Sequence, residues 1–164
     1  MAPSRARQVS VVGSGTCEEG SEIWRLAEQV GRLLAEQGAV VICGGMGGVM
    51  AAAARGASRA GGAVIGITPS ASPRDANEDC THVVATGIGQ ARNLAVVASG
   101  EAVIAIGGEW GTLSEIGFAR RLDRRVVTLR SWRAVGEGAM EDAPGIVSAE
   151  SAEQAVRLAL DGPV

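Results

Sequence analysis

Short apolar runs closed by glycine recur along this chain, with stretches of helical periodicity between them. Val9-Ser10-Val11-Val12 leads into Gly13-Ser14-Gly15-Thr16, and Val40-Val41-Ile42-Cys43 into Gly44-Gly45-Met46-Gly47-Gly48. Ala102-Val103-Ile104-Ala105-Ile106 leads into Gly107-Gly108-Glu109-Trp110-Gly111-Thr112. Near-continuous apolar character marks strands covered on both faces. After the first turn, Ile23, Leu26, Ala27, Val30, Leu33 and Leu34 recur at helical spacing. They predict a helix over about 22–37, capped near Ser21 and stopped by Gly38. An alanine-rich helix is predicted over about 48–60, its small side chains suited to close packing on a sheet. Residues 63–67 read as a strand, the polar, proline-bearing stretch 69–79 as a loop, and His82-Val83-Val84 as a short strand. Helices are predicted over 90–99 and 112–122, a strand over 126–129 and an irregular connection over 136–144. Gly145-Ile146-Val147 reads as a last edge strand, followed by a terminal helix over 151–160.

Repeated βα units of this kind imply a Rossmann-like α/β fold, an open parallel sheet with helices on both faces. A length of 164 residues suits one domain with one core. Residues 8–164 are expected to form a single nucleotide- or phosphate-binding domain, with residues 1–7 as a flexible tail.

The glycine turns are the candidate chemistry. In a parallel sheet they gather at the carboxyl edge of the strands, where ligands bind. Glycine lets the backbone approach a ligand and frees amides to face it. Helix N-termini at that edge favour an anion. The candidate phosphate-binding residues are therefore Gly13, Ser14, Gly44, Gly45, Met46, Gly47, Gly107, Gly108, Gly111 and Thr112.

Two charged residues join them as candidate catalytic groups. Glu115 follows Thr112 by three positions, one turn into the predicted helix. Its carboxylate either faces the sugar side of a bound nucleotide or completes a capping box with Thr112, and the two roles can coexist. Arg92 begins the preceding helix after Gly87-Ile88-Gly89-Gln90-Ala91. A guanidinium at a helix start opposes the dipole, so it calls for an anionic partner. The plain alternative is a solvated surface arginine.

Composition narrows the chemistry further. There is no lysine, all fifteen basic residues being arginine, so a pyridoxal-phosphate Schiff base and a Walker-type phosphate lysine are excluded. His82 is the only histidine, which excludes a His-rich metal centre; neither a metal nor a resident cofactor is expected. Cys17, Cys43 and Cys80 are odd in number and widely spaced, and read as free thiols in a reducing cytosol. A net charge of −3 gives no reason to expect nucleic acid. No apolar run approaches the roughly 20 residues that span a bilayer. The basic start lacks the apolar segment of a secretory signal, so a cytoplasmic location is expected. Without tyrosine, base stacking would fall to Trp24, Trp110 or Trp132, or to arginine planes. Trp110 is open between a base and a subunit contact.

Gly107-Gly108-Glu109-Trp110-Gly111-Thr112-Leu113-Ser114-Glu115 resembles the GGxGTxxE motif of the "lonely guy" (LOG) family, long labelled lysine-decarboxylase-like. Gly44-Gly45-Met46-Gly47-Gly48-Val49-Met50 looks like that family's upstream glycine motif, and Arg92 stands where it carries a catalytic arginine. The resemblance covers about residues 9–129. Ile106 is placed where a proline usually precedes the motif, and Asn93 where a lysine usually follows the arginine. Arg92-Asn93 with Thr-Leu-Ser-Glu-Ile downstream is closer to a sister branch that contains the molybdenum-cofactor carrier protein. The resemblance implies hydrolysis of the N-glycosidic bond of a nucleoside 5′-monophosphate, with Arg92 and Glu115 as catalytic groups. The alternative is a carrier for a phosphorylated ligand such as molybdenum cofactor or a nucleotide. It also implies a homodimer or higher homo-oligomer.

Overall fold

The fold is described from a computed structural model that covers residues 5–133 and 143–161. Seven strands form one sheet: β1 (Gln8–Gly13), β2 (Val40–Cys43), β3 (Val64–Thr68), β4 (His82–Ala85), β5 (Ala102–Ile106), β6 (Arg125–Leu129) and β7 (Ile146–Ala149). Their order is β4-β3-β2-β1-β5-β6-β7, and every neighbouring pair is parallel. Chain order therefore reverses direction between β1 and β5, the switch point at which doubly wound sheets open a crevice. The last edge strand forms as expected. The connection expected over 136–144 lies, up to residue 142, outside the described residues.

Alternate strand residues feed two cores. Val9 and Val11, Val41 and Cys43, and Ile104 and Ile106 point to the face covered by α1 (Glu22–Glu36), α2 (Val49–Arg59) and α5 (Ala152–Leu160). Val12, Ile42, Val103 and Ala105 point to the face covered by α3 (Arg92–Ser99) and α4 (Trp110–Arg121). Both faces are apolar, which is why the central strands lack polar alternation. Ser10 is a buried polar exception in β1, and its hydroxyl donates to the Val96 carbonyl at 2.6 Å.

Helix starts follow local chemistry. Ser21 caps α1 by accepting from the Trp24 amide, and Ser151 caps α5 by accepting from the Gln154 amide. α4 begins at Trp110, two residues earlier than expected, with Glu109 at the cap position. Thr112 is thus already inside the first turn, which removes it from the cap of a capping box with Glu115. A short 3-10 turn, Gly89–Ala91, runs directly into α3, so Arg92 does open that helix. At the other end, the expected tail over 1–7 is tied down at Arg7: its carbonyl accepts from the Val40 amide and its guanidinium pairs with Glu101 at 3.2 Å.

Candidate functional site

The first and third glycine turns lie side by side because β1 pairs with β5. Gly13 is the register partner of Ile106, and a Cβ there would lie 2.1 Å from the Ile106 carbonyl oxygen. Only glycine fits that approach. The second turn follows β2 on the other side of β1. Between the turns opens a cleft of about 270 Å³. Of the residues expected from sequence, Gly13, Gly44, Met46, Gly111, Thr112, Arg92 and Glu115 line it. Gly15, Met50, Pro69, Gln90, Asn93 and Glu109 complete much of the wall.

Five expected ligands do not line it. The Gly107 amide donates to the Leu129 carbonyl, so it is not free for an anion. Gly108 turns its Cα onto the Thr112 side chain. Gly45 packs toward Thr68, with a left-handed φ of 72°, and its carbonyl accepts from the Asn77 amide. Gly47 lies against the Gly15 carbonyl. The Ser14 hydroxyl is spent on Glu109 and Thr16. These residues shape the turns, and of their amides that of Gly47 has no acceptor among the described residues; other amides face the cleft. Those of Trp110, Gly111 and Thr112 at the start of α4 have no hydrogen-bond acceptor among the described residues, as first-turn amides generally lack one within the helix.

Arg92 and Glu115 come together at the cleft floor, from opposite sides of β5 in the sequence. Arg92 is only 5% exposed, yet its Nε has no hydrogen-bond partner. Burial lowers the pKa of its guanidinium, against the favourable field of Glu115. No ion pair joins the two side chains among the described residues. Glu115 is 9% exposed, and burial raises its carboxyl to about 7 despite the nearby positive charge of Arg92. Cys43, at the end of β2, does not supply the missing anion. A hydrogen bond with the Cys80 thiol, together with burial, pushes the Cys43 thiol well up, so it stays neutral. Among the described residues, Arg92 is therefore a buried cation without a paired anion, a state that is costly unless a ligand completes it. The guanidinium also lies over the second turn, since a Cβ on Gly44 would sit 3.0 Å from its Nη2.

Glu109 was not singled out by sequence reasoning. Its Oε1 accepts from the Thr16 hydroxyl at 2.7 Å and the Ser14 hydroxyl at 3.4 Å, stitching the first turn to the third. Counting back from Thr112 places the second glycine of the GGxGT pattern at Glu109 and the preceding proline position at Gly107, which corrects the earlier placement at Ile106. That substitution was the available signal. The Glu109 carbonyl accepts from the Trp132 indole at 3.0 Å, and the rings of Trp110 and Trp132 are 5.2 Å apart. Trp110 thus leans on Trp132 while remaining 76% exposed. The loop over 69–79 is anchored at its end: Asp79 pairs with Arg55 at 3.7 Å and accepts from Ser58 at 3.1 Å.

Known proteins share this architecture. The SLOG cluster4 family model matches residues 6–156. An uncharacterized protein of Archaeoglobus fulgidus is 44% identical over 124 residues, 75% of this chain and 80% of that protein. The molybdenum cofactor binding protein of the phototrophic bacterium Rippkaea orientalis superposes with a TM-score of 0.80 at 30% identity, over 94% of this chain and 96% of that one. The molybdenum cofactor carrier protein of Chlamydomonas reinhardtii superposes with a TM-score of 0.80 at 26% identity, again over 94% and 96%.

Proposed function

The chain belongs to the SLOG cluster4 family, and on that premise we propose that it binds and carries a phosphorylated small molecule, of the molybdenum-cofactor or nucleotide kind, in the cleft between β1 and β5. One observation carries the proposal: Arg92 is almost fully buried at the cleft, and among the described residues no carboxylate pairs with it. A phosphate would supply the charge and acceptors that a buried guanidinium needs. The free amides of Trp110, Gly111 and Thr112 add a helix N-terminus of the right polarity. The cleft volume, about 270 Å³, sits near the lower bound of roughly 300 Å³ for small-molecule pockets. That favours a ligand the size of a mononucleotide over a dinucleotide. The likeness to proteins described as binding or carrying molybdenum cofactor supports carriage as the first reading.

Glu115 favours a second reading, hydrolysis of a nucleoside 5′-monophosphate. Water would add to C1′ of the ribose and the base would leave protonated, giving free base and ribose 5-phosphate. The ionised Glu115 carboxylate would stabilise the developing oxocarbenium ion, with Arg92 holding it in place and assisting the departing base or the phosphate. Its raised pKa, to about 7, makes hydrolysis increase with pH through that value, because only the ionised form serves. Both readings need the same ligand chemistry, and the protein is proposed to act as a homodimer in either.

The test is direct. The purified protein is examined by native mass spectrometry and incubated with AMP, CMP, GMP and UMP, with free base measured by chromatography. A retained phosphorylated ligand with no base released establishes the carrier. Base release that is lost in Glu115→Gln while binding persists establishes the hydrolase. Absence of both retained ligand and monophosphate binding refutes the proposal.

A further inference from the structure

Asn77 lies in the loop after β3, outside the cleft wall, yet both its backbone amide and its side-chain amide are committed to the second glycine turn. Its amide donates to the Gly45 carbonyl at 2.8 Å, and its Nδ2 donates to the Met46 carbonyl at 2.9 Å. Its Oδ1 accepts from the Asp79 amide at 3.2 Å and from the Cys80 thiol at 3.5 Å, and its carbonyl accepts from the Cys80 amide. The two donors at Oδ1 fix the orientation of the side-chain amide, so Nδ2 must face Met46. Asp79 in turn is held by Ser58 and Arg55 of α2, which anchors the loop to the helix that follows the turn.

Peptide geometry converts this clamp into a statement about the cleft. No peptide among the described residues is cis. In a trans peptide the carbonyl and the following N–H point in opposite directions. A Gly45 carbonyl drawn toward Asn77 sends the Met46 N–H the other way. A Met46 carbonyl drawn toward Asn77 does the same for the Gly47 N–H. Neither amide has an acceptor among the described residues. On the loop side, Gly45 packs on Thr68 and Gly66 of β3. On the opposite side lies the first glycine turn, with Gly47 against the Gly15 carbonyl, and Met46 and Gly15 both line the cleft. The freed amides therefore point away from the Asn77 loop, on the side of the first glycine turn, where Met46 and Gly15 line the cleft. Consecutive free amides of this kind form an anion-binding concavity.

We propose that Asn77 is a positioning residue of the phosphate site, holding two successive carbonyls of the second glycine turn so that the Met46 and Gly47 amides meet the ligand's phosphate. This rests on the reading of the cleft as a site for a phosphorylated molecule. Asn77 contributes no atom to the cleft; it acts through the turn.

The test titrates inorganic phosphate into the full chain and its variants while amide resonances are followed. In the wild type, Met46 and Gly47 shift saturably together with Gly111 and Thr112. Asn77→Ala removes both side-chain contacts without adding charge. Asn77→Asp keeps the acceptor for Asp79 but sets a charged oxygen against the Met46 carbonyl, so Asn77→Ala, which adds no charge, decides the test. Each variant is expected to weaken phosphate binding about tenfold. The Met46 and Gly47 responses should shrink while those of Gly111 and Thr112 remain. Unchanged affinity in folded variants overturns the inference. So does a wild type in which Gly111 and Thr112 respond but Met46 and Gly47 do not, and that result leaves the phosphate cleft standing. A wild type in which no cleft amide responds to phosphate or to AMP removes the ligand itself, and the proposed function with it.

Discussion

At Glu115, burial and charge compete over one proton. Burial raises its pKa from an ordinary 4.5 to about 7, and Arg92 pulls in the other direction without prevailing. In the unfolded chain the carboxyl ionises near its ordinary value, whereas in the folded protein it holds its proton until about pH 7. Its contribution to stability is therefore complete below about pH 4.5 and is lost as pH rises through 7. Glu115→Gln removes the titration. Relative to wild type, the variant should gain on the order of 2–3 kcal/mol between pH 4.5 and pH 8, read by chemical denaturation at the two values. A difference that does not change with pH would mean that the carboxyl is not desolvated. The sequence placed Glu115 and Arg92 among the candidates but offered no sign of this effect, since desolvation depends on what covers a side chain. Glu109 escaped for a related reason: its bonds to Thr16 and Ser14 span more than 90 residues of chain.

Among the elements, α1 and α2 make the closest crossing. Gly31 faces the backbone of Ala53, and Gly56 faces that of Glu28. A Cβ on Gly56 would lie 1.9 Å from the Glu28 carbonyl oxygen and 2.9 Å from the Arg32 nitrogen. These are backbone atoms, so relief requires the helices to separate. Gly56→Ala should cost about 3 kcal/mol or more despite the better helix propensity of alanine. Thermal or denaturant melting reads this, and a stabilised variant would show that the helices do not meet so closely. The alanine run had announced close packing for α2, but a glycine inside a helical pattern says nothing about its neighbour until the partner helix is placed. The early start of α4 has a similar origin. Trp110 and Gly111 carry weak helical signals, whereas the strand end at Ile106 and the indole bond from Trp132 to Glu109 set where the first turn can form.

Across the whole molecule, the cleft is a consequence of strand order. The cleft draws on turns after β1, β2 and β5 and on the start of α3, which belong to both halves of the doubly wound sheet. A phosphorylated ligand should therefore stabilise the entire fold. At a hundredfold excess over its Kd the expected gain is about 2.7 kcal/mol, and Arg92→Met should remove most of it at the same ligand concentration. A melting temperature that stays constant across the titration would count against a site shared by both halves. Strands, helices and glycine turns could be read along the chain, because a strand buried on both faces demands an apolar run and a tight turn demands glycine within the same few residues. Adjacency of β1 to β5 could not be read in this way, nor could the lack of a partner for Arg92 among the described residues, the spent amide of Gly107 or the grip of Asn77 on the second turn. Each depends on a contact between segments far apart in sequence. Such contacts arise from the packing of the whole sheet, on which local patterns of polarity carry no information.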